Sequence, residues 1–97
     1  MTEKPWHGIL TATATPYKSD LSIDFDKYGE HVAWLASFGH AGVIPNGSLG
    51  EYQVLTSDER AHMVKTAIAA APKGFRVVPG VAAYGARESR FWAEQAA

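Results

Sequence analysis

Three short apolar stretches of the chain are each followed by a longer segment with an amphipathic pattern. The apolar stretches are Gly8–Ala14, Ala41–Pro45 and Phe75–Val81, and each is rich in β-prone residues. Proline or glycine lies at or just beyond the end of each stretch, where a strand loses its ladder donor or turns. The pattern therefore predicts three strands.

The segment after the first strand has the period of a helix. Asp24 is a suitable N-cap, and Gly39 is a typical C-terminal stop. Between them, apolar residues recur at spacings of three and four, which places them on one helical face. The predicted buried stripe consists of Phe25, Tyr28, Val32, Leu35 and Phe38.

Two further helices follow the second and third strands. Thr56 and Glu59 have the spacing of a capping box, in which each side chain accepts from the other residue's backbone N–H. The second helix is predicted to end at Pro72 and Gly74 and to bury Ala61, Val64, Ile68 and Ala71. The third helix is predicted to begin near residues 86–88, with Phe91 and then Gln95 or Ala96 following. Trp92 is expected to pack against a neighbouring helix or another subunit.

The order of elements is thus β-α-β-α-β-α, with strands beginning near residues 8, 41 and 75. The intervals of 33 and 34 residues also fit tetratricopeptide or ankyrin repeats, but here each unit opens with a strand. Regular βα units indicate a parallel sheet, either open or closed into a barrel. A complete barrel needs about 250 residues. We therefore expect residues 1–97 to be the N-terminal piece of a larger chain and to fold poorly alone.

Composition narrows the class of protein. The chain is 46% hydrophobic and 20% charged, with a net charge of -1, as in ordinary soluble globular proteins. That charge gives no electrostatic reason to expect nucleic acid or an anionic membrane as a partner. Residues 1–7 lack the apolar stretch of a signal peptide, and cysteine is absent, so a cytoplasmic location is the simplest expectation. No cofactor fingerprint or metal-ligand spacing occurs.

The loop after the second strand is the candidate site. Its sequence is Asn46-Gly47-Ser48-Leu49-Gly50-Glu51, and the second helix begins soon after it. In α/β enzymes, ligands bind at the carboxyl ends of parallel strands. The two glycines allow a sharp turn close to a ligand, Ser48 supplies a hydroxyl, and the Ser48 and Leu49 amides can face an anion.

At this loop the chain resembles the dihydrodipicolinate synthase and N-acetylneuraminate lyase family of class I Schiff-base aldolases. The resemblance rests on Thr11–Pro16, on Gly47-Ser48-Leu49-Gly50-Glu51 and on Pro79-Gly80, and it extends over residues 7–97. It implies the first three βα units of a (β/α)8 TIM barrel, a homotetramer, and pyruvate bound as a Schiff base on a lysine.

The resemblance also implies roles for the loop residues. Ser48 corresponds to the hydroxyl residue of the family's proton relay, and Leu49 to a position that binds the 2-oxo acid carboxylate through backbone amides. Gly47, Gly50 and Glu51 are expected to shape the loop. Many members of the family have a second hydroxyl where this chain has Leu49. The family's Schiff-base lysine lies in its sixth strand and its relay tyrosine in the fifth, beyond residue 97.

The resemblance therefore implies a pyruvate-dependent lyase most like 4-hydroxy-tetrahydrodipicolinate synthase, with pyruvate and an aldehyde as substrates and no cofactor. An aldolase or dehydratase of a sugar-type 2-oxo acid is the first alternative, and a non-catalytic 2-oxo-acid-binding barrel or fragment is the second. The chain's own lysines are expected at the surface rather than at a strand end, where burial lowers an amine pKa. They are Lys4, Lys18, Lys27, Lys65 and Lys73.

Overall fold

A three-stranded parallel sheet forms the centre of the computed structural model, which describes residues 7–97. Its strands are β1 (Leu10–Ala12), β2 (Gly42–Ile44) and β3 (Arg76–Val77), and they lie in the order β1-β2-β3. Thr11 is level with Val43, and Val43 is level with Val77. The predicted α/β class with parallel strands is confirmed.

Helices follow each strand along the chain. They are α1 (Phe25–Ser37), α2 (Ser57–Ala70) and α3 (Ala86–Ala96), and a short 3-10 helix, Tyr52–Val54, precedes α2. Asp24 caps α1 by accepting from the Lys27 N–H. The element order therefore alternates as the hydrophobic pattern predicts.

The regular strands are shorter than the predicted ones, although their backbone pairing continues past them. The predicted third strand extends to Val81, whereas β3 is two residues long. Beyond it, the Val78 N–H donates to Val43 O at 2.9 Å and the Gly80 N–H donates to Pro45 O at 2.8 Å. Arg76, Val78 and Gly80 thus donate in turn to the β2 segment, and Pro79 between them faces the opposite edge, so its missing N–H removes no bond from this pairing.

The core lies between the sheet and helices α1 and α2. The predicted stripe of α1 is confirmed at Tyr28, Val32 and Leu35, all of which are buried. At Phe38 the prediction is wrong, because this residue follows the last turn of α1 and its side chain is 66% exposed. Val43 of β2 packs against the same cluster.

The predicted stripe of α2 is wrong in phase. The buried residues are Arg60, Met63 and Ala67, whereas Ile68 is 59% exposed. The first buried residue of α2 is Arg60. Because a charged residue is normally assigned to the solvent face, the sequence pattern alone predicts the wrong buried face for this helix. In α3, Trp92 is buried and packs against Arg60 of α2, as expected, whereas its neighbour Phe91 is half-exposed.

The two faces of the sheet differ in how well they are covered. Val43 faces the helices, and its level partners Thr11 and Val77 share that face because adjacent strands keep their pleat in register. Leu10, Ala12 and Ile44 alternate with them and so point to the opposite face. Ala12 is exposed, and the other two are half-buried.

Within residues 7–97, no helix is long and apolar enough to span a bilayer.

The capping box of α2 gives a first prediction. The Thr56 N–H donates to Glu59 Oε1 at 2.8 Å, and the Glu59 N–H donates to Thr56 Oγ1 at 3.1 Å. We expect Thr56→Ala to lower the free energy of unfolding of the larger protein that is expected to contain residues 1–97 by about 1 kcal/mol. Equilibrium urea unfolding measures this change. Ser57→Ala is the matched control, because the Ser57 hydroxyl takes no part in the box. Equal effects of both substitutions would contradict the prediction.

Candidate functional site

The segments that follow β1, β2 and β3 meet at one edge of the sheet. They are residues 13–16, 46–51 and 78–82. The buried hydroxyl of Thr15 donates to Gly50 O at 2.7 Å, which ties the first segment to the second. The bond from the Gly80 N–H to Pro45 O ties the third segment to the second. The candidate loop is therefore the middle member of three joined segments.

The candidate loop is built from overlapping turns. Gly47 O accepts from the N–H groups of Gly50 and Tyr52 at 3.0 and 3.4 Å, and Ser48 O accepts from the Glu51 N–H at 3.1 Å. These bonds use the amides at the end of the loop. Among the described residues, no backbone carbonyl accepts from the Ser48 or Leu49 N–H. Successive amides of this kind can receive an anion.

The two central side chains of the loop are open to solvent. Ser48 is exposed, and Leu49 is 64% exposed. The Ser48 hydroxyl and the amides of Ser48 and Leu49 therefore belong to one exposed turn that follows β2. The aliphatic Leu49 side chain makes the surface beside them less polar than a second hydroxyl would.

Close packing of backbone against backbone fixes the base of this loop. A Cβ added at Gly80 would lie 2.5 Å from Asn46 O and 3.0 Å from Asn46 C. At Gly50, a Cβ would lie 3.1 Å from Asn46 N and 3.3 Å from Thr13 O. Glycine is required at Gly80 in particular, because the atom that a side chain would meet belongs to the main chain.

Asn46 turns the chain from β2 into the loop. Its φ of 62° lies in the left-handed region, which asparagine tolerates better than most residues, and its side chain is 1% exposed. Asn46 Nδ2 donates to Arg60 O at 3.0 Å, so the loop is anchored to the first turn of α2. Its Oδ1 is buried without a partner among the described residues.

Arg60 is the residue of this region that the sequence pattern misses. Its side chain is 2% exposed and reaches from α2 to the segment after β3. Nη1 donates to Ala82 O and Nη2 to Gly80 O, each at 3.0 Å. The guanidinium carbon lies 4.5 Å from the ring centre of Trp92 and 5.4 Å from that of Tyr52. Burial lowers the pKa of Arg60, and the charge of Glu88 opposes that shift.

A buried hydroxyl pair lies behind the first segment. Thr13 Oγ1 and the Tyr28 hydroxyl are 2.7 Å apart, and both residues are buried. Burial raises the pKa of Tyr28, while the hydrogen bond with Thr13 acts in the opposite direction. The hydroxyl of Tyr28 therefore stays neutral at physiological pH and fixes Thr13, two residues before Thr15.

Glu51 is the last residue of the loop, and its φ of 60° lies in the left-handed region. Its side chain caps neither the 3-10 helix nor α2. The pKa of Tyr17, in the connection between β1 and α1, is raised by burial and further by the nearby charge of Glu51 and Glu59. The carboxylate of Glu51 therefore lies close to this connection.

The described lysines lie at the surface, as expected from the sequence. Lys4 lies outside the described residues. The other four, Lys18, Lys27, Lys65 and Lys73, are exposed.

A cavity of about 210 Å³ lies between α2 and α3, where Val64, Ile68 and Trp92 line its walls. It is on the helix side of the sheet, and Ser48 and Leu49 do not line it. Asn46, at the start of the loop, also lines this partly open cavity, but the amides that could receive an anion belong to Ser48 and Leu49.

Comparisons with known proteins agree on one family. The family model described as "Dihydrodipicolinate synthetase family" matches residues 5–97. The 4-hydroxy-tetrahydrodipicolinate synthase of Chelativorans sp. (strain BNC1) is 34% identical over 91 residues, which are 94% of this chain and 31% of that protein. A probable 5-dehydro-4-deoxyglucarate dehydratase of Saccharopolyspora erythraea is 37% identical over 78 residues, which are 80% of this chain and 25% of that protein.

The fold is shared with solved structures. A crystal structure of the chloride-inhibited dihydrodipicolinate synthase of Acinetobacter baumannii, complexed with pyruvate, superposes with a TM-score of 0.87 at 26% identity. The match covers 92% of this chain and 31% of that one. The chain thus spans between a quarter and a third of the length of these proteins.

Proposed function

We propose, because the chain belongs to the dihydrodipicolinate synthetase family, that it forms the N-terminal part of a pyruvate-dependent lyase. The resemblance drawn from the sequence is confirmed at the level of the family. That membership supports a lyase parent. The finer assignment, to a 4-hydroxy-tetrahydrodipicolinate synthase that condenses pyruvate with an aldehyde, is our proposal.

We further propose that residues 1–97 supply the first three βα units of a single (β/α)8 barrel domain. The parallel order β1-β2-β3 and the uncovered sheet face of Leu10, Ala12 and Ile44 support this proposal. In a barrel, that face is filled by inward-pointing side chains from all eight strands. A cytoplasmic homotetramer is the assembly that the family resemblance implies.

One observation carries the functional proposal, namely the pair of amides at Ser48 and Leu49. No backbone carbonyl of the described residues accepts from them, and they lie at the carboxyl ends of the strands. The carboxylate of a 2-oxo acid accepts two charge-assisted hydrogen bonds from such a pair. We assign to the Ser48 hydroxyl the passing of a proton, the role that the family resemblance implies for it.

The chemistry proposed for the parent protein has four steps. A lysine amine attacks the pyruvate carbonyl carbon and water leaves, which gives an imine. Loss of a methyl proton then gives an enamine. The enamine carbon attacks the aldehyde carbon, and the aldehyde oxygen takes up a proton. Water finally hydrolyses the product imine and frees the lysine. The family keeps the lysine and the relay tyrosine in later strands. The contribution of residues 1–97 is therefore to hold the carboxylate and to relay protons through Ser48.

A second candidate is a dehydratase of a sugar-type 2-oxo acid. It is favoured by Leu49, whose exposed aliphatic side chain replaces a hydroxyl, and by the 37% identity to a probable 5-dehydro-4-deoxyglucarate dehydratase. The two candidates share the imine and differ in the second half-reaction. Binding of a 2-oxo acid without catalysis is the third reading.

The test is the intact mass of the parent protein after incubation with pyruvate and borohydride. Borohydride reduces an imine to a stable amine, so we expect one reduced pyruvate adduct per chain. Omission of pyruvate is the control. An unmodified parent chain would contradict the lyase proposal and favour binding alone. Among proteins that form the adduct, dehydration of 5-dehydro-4-deoxyglucarate identifies the second candidate.

A further inference from the structure

We propose that Arg60 is a positioning residue for the 2-oxo acid site, a role that rests on the function proposed above. The Arg60 side chain is only 2% exposed, so it does not reach the solvent-exposed surface of the loop where a 2-oxo acid would bind. It acts through the two segments on which the loop rests. Its five contacts connect α2 to the loop, to the segment after β3, to α3 and to the 3-10 helix.

The first contact fixes the loop itself. The backbone carbonyl of Arg60 accepts from Asn46 Nδ2, and Asn46 is the left-handed residue from which the loop departs. A rotation of Asn46 would carry Gly47 and Ser48 with it, because they follow directly in the chain. Arg60 therefore holds the near end of the loop through its own main chain.

The second set of contacts fixes the segment behind the loop. The two Nη atoms of Arg60 donate to Gly80 O and Ala82 O. Gly80 in turn supports the loop, since its N–H donates to Pro45 O and its backbone lies so close to Asn46 that an added Cβ would be 2.5 Å from Asn46 O. The guanidinium thereby fixes the surface against which the loop backbone lies.

The aromatic contacts explain why arginine, rather than lysine, suits this place. The guanidinium plane lies near Trp92 of α3 and Tyr52 of the 3-10 helix. Arginine presents several donors in a rigid planar fork that can also stack on rings, whereas lysine is a flexible point charge. A lysine at position 60 keeps the charge but reaches the two carbonyls and two rings less completely.

The test compares Arg60→Lys and Arg60→Met with wild type in the parent enzyme. The readout is the pyruvate concentration that gives half-maximal borohydride-trapped adduct, together with KM and kcat. We expect the half-saturating concentration to rise about tenfold in R60K and about 100-fold in R60M, because a misplaced amide pair binds the carboxylate poorly. We expect KM for pyruvate to rise in parallel and the adduct at saturating pyruvate to be retained in R60K.

Arg87→Met is the matched control, because Arg87 is exposed on α3. An R60K enzyme that loses activity only in proportion to its folded fraction, with unchanged half-saturation and KM, would overturn the positioning role. Absence of an adduct in wild type would instead reject the proposed function, and the role of Arg60 with it. The two failures are distinguished by whether the wild-type enzyme forms the adduct.

Discussion

Replacement of Ser48 by alanine is expected to lower kcat of the parent enzyme by about 10²- to 10⁴-fold, the range associated with loss of a proton-transfer group. The substitution removes the hydroxyl and leaves the backbone amide in place. Binding of the carboxylate should therefore persist, since the amides of positions 48 and 49 are retained. Two quantities are compared between S48A and wild type. They are kcat and the pyruvate concentration that gives half-maximal borohydride-trapped adduct.

The two roles proposed for Ser48 separate in this experiment. If kcat falls while the half-saturating pyruvate concentration is unchanged, the Ser48 hydroxyl acts in the proton relay and the Ser48 amide binds the carboxylate. Ser57→Ala is the control, because Ser57 is an exposed serine at the start of the next helix. An S48A enzyme whose kcat matches that of S57A would contradict the relay.

Replacement of Gly80 by alanine is expected to destabilise the parent enzyme by about 3 kcal/mol, the upper part of the range for overpacking. The new Cβ would lie 2.5 Å from Asn46 O. Neither side can yield easily, because Gly80 is held by bonds at both its N–H and its carbonyl, and Asn46 is held by Arg60. The midpoint of urea unfolding measures the loss.

Gly85→Ala is the matched control for this prediction. A Cβ at Gly85 meets no atom within 4 Å, and its φ of -141° is accessible to alanine. Because Gly85 is the N-cap of α3, we expect a cost below about 1 kcal/mol there. Equal unfolding midpoints for the G80A and G85A enzymes would show that the close approach at Gly80 is relaxed in solution.

The parts of the fold that sequence reasoning predicts are those with local signals. The capping residues Asp24 and Thr56 and the first three buried positions of α1 depend on neighbours within a turn or two, so their spacing suffices. The alternation of strands and helices follows from the same short-range patterns. The position of the candidate loop is predicted because a strand, paired glycines and a helix start follow one another.

The residues that sequence reasoning misses depend on distant partners. Arg60 is buried because Gly80 and Ala82, about twenty residues later, offer carbonyls to its guanidinium. Nothing near Arg60 in the sequence signals this, so the stripe of α2 is displaced by one residue. A weak signal exists, since Arg60, Met63, Ala67 and Ala70 have helical spacing once an arginine is admitted to the inward face.

The order of strands in the sheet has a consequence for synthesis on the ribosome. Because β1, β2 and β3 are neighbours in the same order in which they are translated, each strand can join an edge that is already present. Such sequential contacts shorten the loops that must close. The nascent segment exposes the unpaired edge of β3 and the sheet face of Leu10, Ala12 and Ile44. Other chains can contact both until later segments cover them. An interrupted translation product is therefore expected to self-associate through that edge and to depend on chaperones.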